Sequence, residues 1–143
     1  MHTLFRRPGN LAWGSVSSAV ATGASVGILV GSVLGLLSGL LDLTGSGEDS
    51  RALLIASGVS GLGSAWLLSL VRRPRRHRTA DILTGVTVAF LGMVLVGTLL
   101  YLVTGTLTRP EDALFESAAG FSTTALTILD ADTLGRGMLL FRA

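Results

Sequence analysis

The sequence contains no cysteine and no lysine, and only 14% of its 143 residues are charged. Ordinary soluble domains carry about 25% charged residues, so this chain has too few charges to cover the surface of a soluble protein. The lack of cysteine excludes disulfide bonds within the chain. Hydrophobic residues are abundant instead: they make up 49% of the sequence, and the mean hydropathy is +0.66. This composition predicts a membrane protein whose main partner is the lipid bilayer.

The scarcity of charge also argues against several functions. The pI near 10.4 results from a net charge of only +2, so it does not indicate nucleic-acid binding. His2 and His77 lie in or beside basic regions without cysteine or acidic partners, so we expect no metal site there. The apolar stretches contain no nucleophile, metal-binding cluster or acid–base pair. The sequence therefore predicts no catalytic residues, no enzyme activity and no cofactor.

Three stretches are almost free of charge, namely Leu11–Leu41, Ala52–Val71 and Ile82–Leu107. Even 20 helical residues reach about 30 Å, the hydrocarbon thickness of a bilayer, so all three stretches are predicted to be transmembrane helices. The first is too long for an upright span, and it either tilts, extends beyond the membrane or begins as an interfacial segment. A cleavable signal peptide is a weaker interpretation, because this stretch is about twice the usual length of an h-region.

The charged loops between the stretches predict the orientation of the chain. The loop at residues 72–78 is basic, whereas the loop at residues 42–51 holds three acidic residues and one arginine. The positive-inside rule places the basic loop and the N-terminus in the cytoplasm, which predicts a multi-pass protein of the plasma (inner) membrane. The basic loop serves topology in the first place, and anionic lipids or a cytosolic regulatory subunit are its possible further partners.

Small residues recur at every fourth position of the first stretch, which is the spacing of close-packed helix faces. They are Ser15, Ala19, Gly23, Gly27, Gly31, Gly35 and Gly39. Glycines also occur in the other two stretches, so we expect close helix packing within the chain or with partner helices. None of the stretches has an Asp, Glu, Lys, Arg or His in its interior, which disfavours a proton-coupled carrier built from these helices alone.

The pattern changes after Leu107. Residues 109–120 predict a short helix, because Pro110 suits its first position, Glu111 and Asp112 complement the positive end of the helix dipole, and Gly120 suits a left-handed C-terminal cap. The following residues 121–127 are rich in serine and threonine. A re-entrant helix followed by such a segment is a coherent pore loop, but a helix in an extramembrane loop followed by a threonine-rich turn has the same pattern.

The same segment resembles a known family. It is similar to the first pore loop of the Trk/Ktr/HKT potassium transporters, written A-x-F-E-[SA]-x-S-G-F-T-T-T-G, and the downstream residues 139–142 resemble the aromatic-arginine pair at the start of that family's next helix. The residues that carry the resemblance are Asp112-Ala113-Leu114-Phe115-Glu116-Ser117-Ala118-Ala119-Gly120-Phe121-Ser122-Thr123-Thr124-Ala125-Leu126-Thr127. It covers about residues 109–142.

The resemblance implies a function and a set of residues. Part of a potassium transporter or channel subunit would coordinate K⁺, or Na⁺, through backbone carbonyls of the filter positions, and no other metal is implied. Those positions are Ser122, Thr123, Thr124 and Ala125, and the pore-helix residues that support them are Phe115, Glu116 and Gly120. The family has glycine where this chain has Ala125, so we expect a weakened preference for potassium over sodium.

The predicted fold is an all-α membrane protein with three transmembrane helices, a re-entrant pore helix and a filter-like loop. Residues 1–79 would form an N-terminal two-helix hairpin, and residues 80–143 would form the first pore repeat, ending as the next helix starts. The resemblance implies further partners: the remaining pore repeats or further copies, and a cytosolic nucleotide-binding regulatory subunit. The alternative function is a small accessory membrane protein that packs against partner helices through its glycine faces.

Overall fold

The computed structural model describes residues 9–44, 50–71, 79–124, 126–130, 134 and 136–142. They form five helices and, within these ranges, no strand: α1 is Gly9–Asp42, α2 is Ser50–Leu70, α3 is Thr79–Val103, α4 is Pro110–Phe121 and α5 is Arg136–Arg142. Helices α2 and α3, together with Ser17–Asp42 of α1, are long and apolar enough to cross a membrane. The prediction of an all-helical fold with three helices that could span a membrane is confirmed, and these apolar helices indicate a lipid bilayer environment. The basic loop at residues 72–78 lies outside the described residues.

Helix α3 ends four residues before the apolar stretch does. Gly105 adopts φ +73°, and the Leu107 amide donates to the Tyr101 carbonyl at 3.2 Å. A left-handed residue followed by a bond that reaches back to the last helical turn is a common way to end a helix, and glycine adopts this conformation without a steric cost. Because the chain turns at Gly105, α4 can fold back against α3.

Glycines allow α1 to approach α3 closely. A Cβ atom added at Gly23 or Gly27 would overlap the carbonyl oxygen of Gly85 or Ala89 in α3, and one added at Gly92 would lie 3.0 Å from the Ala24 oxygen. The two backbones are therefore in contact along this face, as the four-residue spacing predicts.

The C-terminal half of α1 packs against α2. Gly35 and Gly39 leave room for Ser57 and for the leucines at positions 53 and 54, and the Ser32 and Ser60 hydroxyls are 2.8 Å apart. The predicted glycine packing is thus confirmed within the chain for α1. By contrast, Gly58 and Gly63 of α2 have no described atom within 4 Å of an added Cβ.

Helices α4 and α5 complete the described core. Helix α4 lies against the second half of α3, where the Ser117 hydroxyl donates to the Val94 carbonyl at 2.8 Å and Gly97 leaves space for the Ser117 side chain. In α5, the Phe141 ring makes edge-to-face contacts with Tyr101 of α3 and Phe121 of α4, with centroids 5.9 and 6.0 Å apart. These rings join α3, α4 and α5.

The structure corrects the sequence interpretation of Asp42. We assigned this residue to a charged loop, but α1 continues through it and its side chain is buried. The physical reason is the position of α5, since Gly137 packs directly over the Asp42 Cβ atom and the Ser38 carbonyl. The proposed division of the chain at residue 79 stays a prediction.

Candidate functional site

The site lies on α4 and on the residues that follow it. Helix α4 begins as predicted: Arg109 is the N-cap with extended backbone (φ −97°, ψ 126°) and no side-chain capping bond, and Pro110 comes first in the helix. Glu111 and Asp112 lie in the first turn, where carboxylates interact favourably with the helix dipole.

The C-terminal end of α4 differs from the prediction. Gly120 is inside the helix, which continues to Phe121, and the left-handed residue is Thr123, with φ 55°. The expectation that Gly120 caps the helix was therefore wrong. The helix is longer because the Ser122 amide and hydroxyl both donate to the Ala118 carbonyl, at 3.0 and 2.7 Å. The Thr124 amide then reaches back to the Ala119 carbonyl at 3.2 Å, which closes the turn.

The carboxylate of Glu116 is the centre of the site. Its side chain is 1% exposed, and it accepts two hydrogen bonds from the chain beyond α4: one from the Thr127 hydroxyl at 2.6 Å and one from the Ile128 amide at 3.0 Å. Thr127 Oγ1 also accepts a bond from the Leu129 amide at 3.0 Å. Glu116 therefore holds residues 127–129 beside the middle of the helix.

Arg142 of α5 neutralises this carboxylate. Its Nε atom lies 3.1 Å from Glu116 Oε1, and its side chain is 24% exposed. A buried carboxylate is stable only when it is paired and hydrogen-bonded, and Glu116 satisfies both conditions. The ion pair also joins α5 to α4, so one carboxylate holds three segments together: α4, the residues 127–128 that follow it, and α5.

The predicted filter residues lie at the end of α4. Ser122, Thr123 and Thr124 are exposed on the described chain, whereas Ala125 lies outside the described residues. Of the predicted supporting residues, Glu116 bonds to Thr127 and Ile128, and the backbone carbonyl of Gly120 accepts a hydrogen bond from the Thr123 amide at 3.1 Å. Phe115 is 45% exposed, and a Cβ added at Gly120 would meet no described atom within 4 Å. Their supporting roles stay predictions.

Two cavities flank the ion pair. One, of about 250 Å³, lies toward the aromatic rings of Tyr101, Phe121 and Phe141. The other, of about 380 Å³, lies toward Leu126 and Leu139. Glu116, Gly120, Thr123 and Arg142 line both of them, so space remains beside the ion pair and the end of α4.

This geometry was compared with known proteins. No family model, curated protein or solved structure matches the chain. The likeness to potassium transporters therefore depends on the motif residues alone. Among the described residues there is also no group of three or more acidic or histidine side chains that could hold a metal ion. The chemistry available at the site is that of backbone carbonyls, hydroxyl groups and one neutralised carboxylate.

Sequence reasoning missed the partners of Glu116. Arg142 was noted only as part of an aromatic-arginine pair, although it is the cation that neutralises Glu116, 26 positions earlier in the sequence. Ser117 was likewise not assigned its bond to α3. Glu111 and Asp112 lie in the first turn of α4, whereas Glu116 follows in its middle among small and apolar residues. A carboxylate in that position is the signal that could have prompted a search for a distant basic partner, since buried carboxylates require one.

Proposed function

We propose that this chain supplies one repeat of a pathway for monovalent cations, potassium or sodium, across the membrane. The ion would be coordinated by backbone carbonyls of residues 122–125, with Glu116 and Arg142 holding the segment in place. The observation that carries the proposal is the pair of bonds from Thr127 and Ile128 to Glu116. These bonds return the chain from the end of α4 to the middle of the same helix.

The direction of this return supports a pore loop. Phe121 lies five residues after Glu116, or about 7.5 Å along the helix axis. Because Thr127 and Ile128 bond to Glu116, the chain must turn after the end of α4 so that these two residues lie back beside the helix. A helix followed by a returning segment without helical hydrogen bonds leaves carbonyl groups free, and such carbonyls can replace the hydration shell of an ion.

The position of α4 along the axis of α3 supports a location of the end of α4 within the membrane. Ser117 contacts α3 at Val94 and Gly97, which precede the last residue of that helix by nine and six positions, or about 14 and 9 Å. If α3 crosses the bilayer, the end of α4 and its polar turn lie at membrane depth. Irregular backbone survives there only when it is buried in protein or lines water, and Ser122, Thr123 and Thr124 are exposed on this chain. We infer that their exposed side faces the ion pathway and the further repeats or copies that enclose it.

The accessory-protein alternative has less support. The glycines of α1 contact α2 and α3 of the same chain, so that face is not free for a partner. Gly58 and Gly63 of α2 remain as open small-residue positions. The transport proposal includes a location in the plasma membrane with a cytoplasmic N-terminus, and a cytosolic regulatory subunit. Support for both comes from the sequence of the basic loop at residues 72–78.

Uptake of ⁸⁶Rb⁺ tests the proposal. It would be measured in cells that lack their own potassium uptake systems and express the complete reading frame encoding this chain. We expect uptake above the vector control and its loss in Thr124→Trp, because a bulky side chain would obstruct the returning segment. Thr87→Trp is the matched control, since Thr87 is an exposed threonine of α3, and it should keep uptake. Absence of uptake, or equal uptake in the two variants at equal expression, contradicts the proposal.

A further inference from the structure

A second buried carboxylate lies at the C-terminal end of α1. Asp42 is 1% exposed. Its Oδ1 atom accepts one long hydrogen bond, 3.4 Å, from the Gly137 amide, and its Oδ2 atom is buried with no hydrogen-bond partner. No ion pair to Asp42 occurs among the described residues, in contrast to Glu116, which has Arg142.

The position of Asp42 makes the lack of a cation more unfavourable. It is the last residue of α1, and the C-terminal end of a helix carries partial negative charge from carbonyls that accept no helical bond. An ionised carboxylate there is repelled by the helix end in addition to losing its hydration. The local electrostatics therefore favour a positive charge beside Asp42.

Ser38 supplies a second oxygen at the same place. Residues four apart lie on one face of a helix, and Gly137 of α5 packs against both the Ser38 carbonyl and the Asp42 Cβ atom. Ser38 is fully buried, and its hydroxyl has no hydrogen-bond partner. Ser38 and Asp42 therefore both lie against Gly137, and each carries a buried oxygen without a hydrogen-bond partner.

We propose that Asp42 and Ser38 bind a small monovalent cation between the end of α1 and α5. Carboxylate, hydroxyl and carbonyl oxygens are ligands for hard cations. One monovalent ion balances the single carboxylate, whereas a divalent ion would leave an excess positive charge in a buried place. This site is separate from the segment at residues 122–128 and does not depend on the proposed transport function.

Thermal unfolding of the purified chain in dodecylmaltoside tests the inference. Unfolding would be followed in NaCl, KCl and choline chloride at equal ionic strength, with the concentration of each metal ion titrated against choline. We expect Na⁺ or K⁺ to raise Tm along a saturating curve, by about 5 °C when the ion is at ten times its dissociation constant. Asp42→Asn removes the charge at nearly constant shape and should abolish the rise. Glu111→Gln removes an exposed carboxylate and should leave it unchanged.

Ser38→Ala keeps the carboxylate and provides a second variant if Asp42→Asn does not fold. Loss of one ligand should move the midpoint of the titration to about tenfold higher cation concentration. Equal Tm values for the unmodified chain in NaCl, KCl and choline chloride would overturn the inference. A cation-dependent rise that persists in Asp42→Asn, or that Ser38→Ala does not shift, would also overturn it, because the ion would then bind elsewhere.

Discussion

Replacement of Glu116 by alanine should release the segment that follows α4. The substitution removes the acceptor for the Thr127 hydroxyl and the Ile128 amide and leaves Arg142 without its counter-ion. Breaking a buried ion pair from one side costs about 3 to 5 kcal/mol. Because the Arg142 side chain is 24% exposed and regains part of its hydration, we expect the low end, about 3 kcal/mol in the free energy of unfolding.

The local effect is measurable at a single amide. A hydrogen bond to a charged group contributes about 1.5 to 3 kcal/mol, so without Glu116 the Ile128 amide should exchange with deuterium roughly 10 to 100 times faster. Hydrogen exchange of the purified protein in detergent, read by NMR or by mass spectrometry of peptides across residues 126–130, provides the measurement. Glu111→Ala is the control on the same helix. Glu111 pairs with Arg109 at 3.6 Å, with both side chains more than 60% exposed, and such pairs contribute at most about 1 kcal/mol.

A double substitution separates the ion pair from the hydrogen bonds. Glu116→Gln keeps an oxygen acceptor but leaves Arg142 unpaired, and adding Arg142→Met removes that unpaired charge. The double variant should be more stable than the sum of the two single effects implies, by about 1 to 3 kcal/mol. Unchanged exchange at Ile128 in Glu116→Ala, or strict additivity in the double variant, would show that Glu116 does not hold the segment.

Two further substitutions test the packing and the turn, with the free energy of unfolding measured in mixed dodecylmaltoside–SDS micelles. Gly27→Ala should lower the free energy of unfolding by about 1 to 3 kcal/mol, because its Cβ would overlap the Ala89 carbonyl and force α1 away from α3. Gly58→Ala, where the added atom meets nothing, should cause no loss. Equal losses of stability in the two variants would contradict this packing. Thr123→Gly should stabilise the protein by about 0.5 to 1 kcal/mol, because φ 55° is unfavourable for a β-branched residue and not for glycine. A loss of stability would mean that the threonine side chain contributes more than its backbone conformation costs.

The three long helices follow from the sequence because the bilayer imposes a single requirement. A segment of about 20 apolar residues satisfies its backbone by forming a helix, whatever surrounds it. The spacing of small residues in α1 can likewise be recognised from the local sequence, since a helix face without large side chains allows another helix backbone to approach closely. These features need no knowledge of which helix is the neighbour, although the structure alone identifies the partners of Gly23 and Gly35 as α3 and α2.

The ends of elements could not be predicted as well, because they depend on which of several suitable residues the rest of the chain uses. Two glycines were available near helix ends. Gly105 adopts the left-handed conformation, whereas Gly120 stays helical and Thr123 makes the turn instead. The bonds from Ser122 and Thr124 back to α4 outweigh the intrinsic preference of glycine. Local propensity differs by only about 1 kcal/mol between residues, so two or three hydrogen bonds are sufficient to move a helix end.

Contacts between distant parts of the chain account for what the motif left out. The motif at residues 112–127 identified Glu116 as a support for the loop; its bonding partner Thr127 is the last residue of that motif, and Ile128 follows directly. The neutralising cation comes from Arg142 in α5, and no periodicity connects these two positions. A buried charge requires a partner, but this requirement does not indicate where in the sequence the partner lies. The sequence could therefore predict that a buried Glu116 needs a cation, and only the structure identifies Arg142 as that cation.

The two buried carboxylates, Glu116 and Asp42, differ in how far their charge is paired and hydrogen-bonded. Glu116 has an arginine, a hydroxyl and an amide around it, so its charge is already balanced within the chain and its role is to fix the loop. Asp42 has one long amide bond and an unsatisfied oxygen at the negative end of a helix, and no ion pair balances its charge within the described part of the chain. Because the same chain satisfies one carboxylate fully and leaves the other incomplete, a cation that stabilises the protein should act through Asp42 and not through Glu116. Glu116→Gln should therefore retain the dependence of Tm on Na⁺ or K⁺ that Asp42→Asn loses.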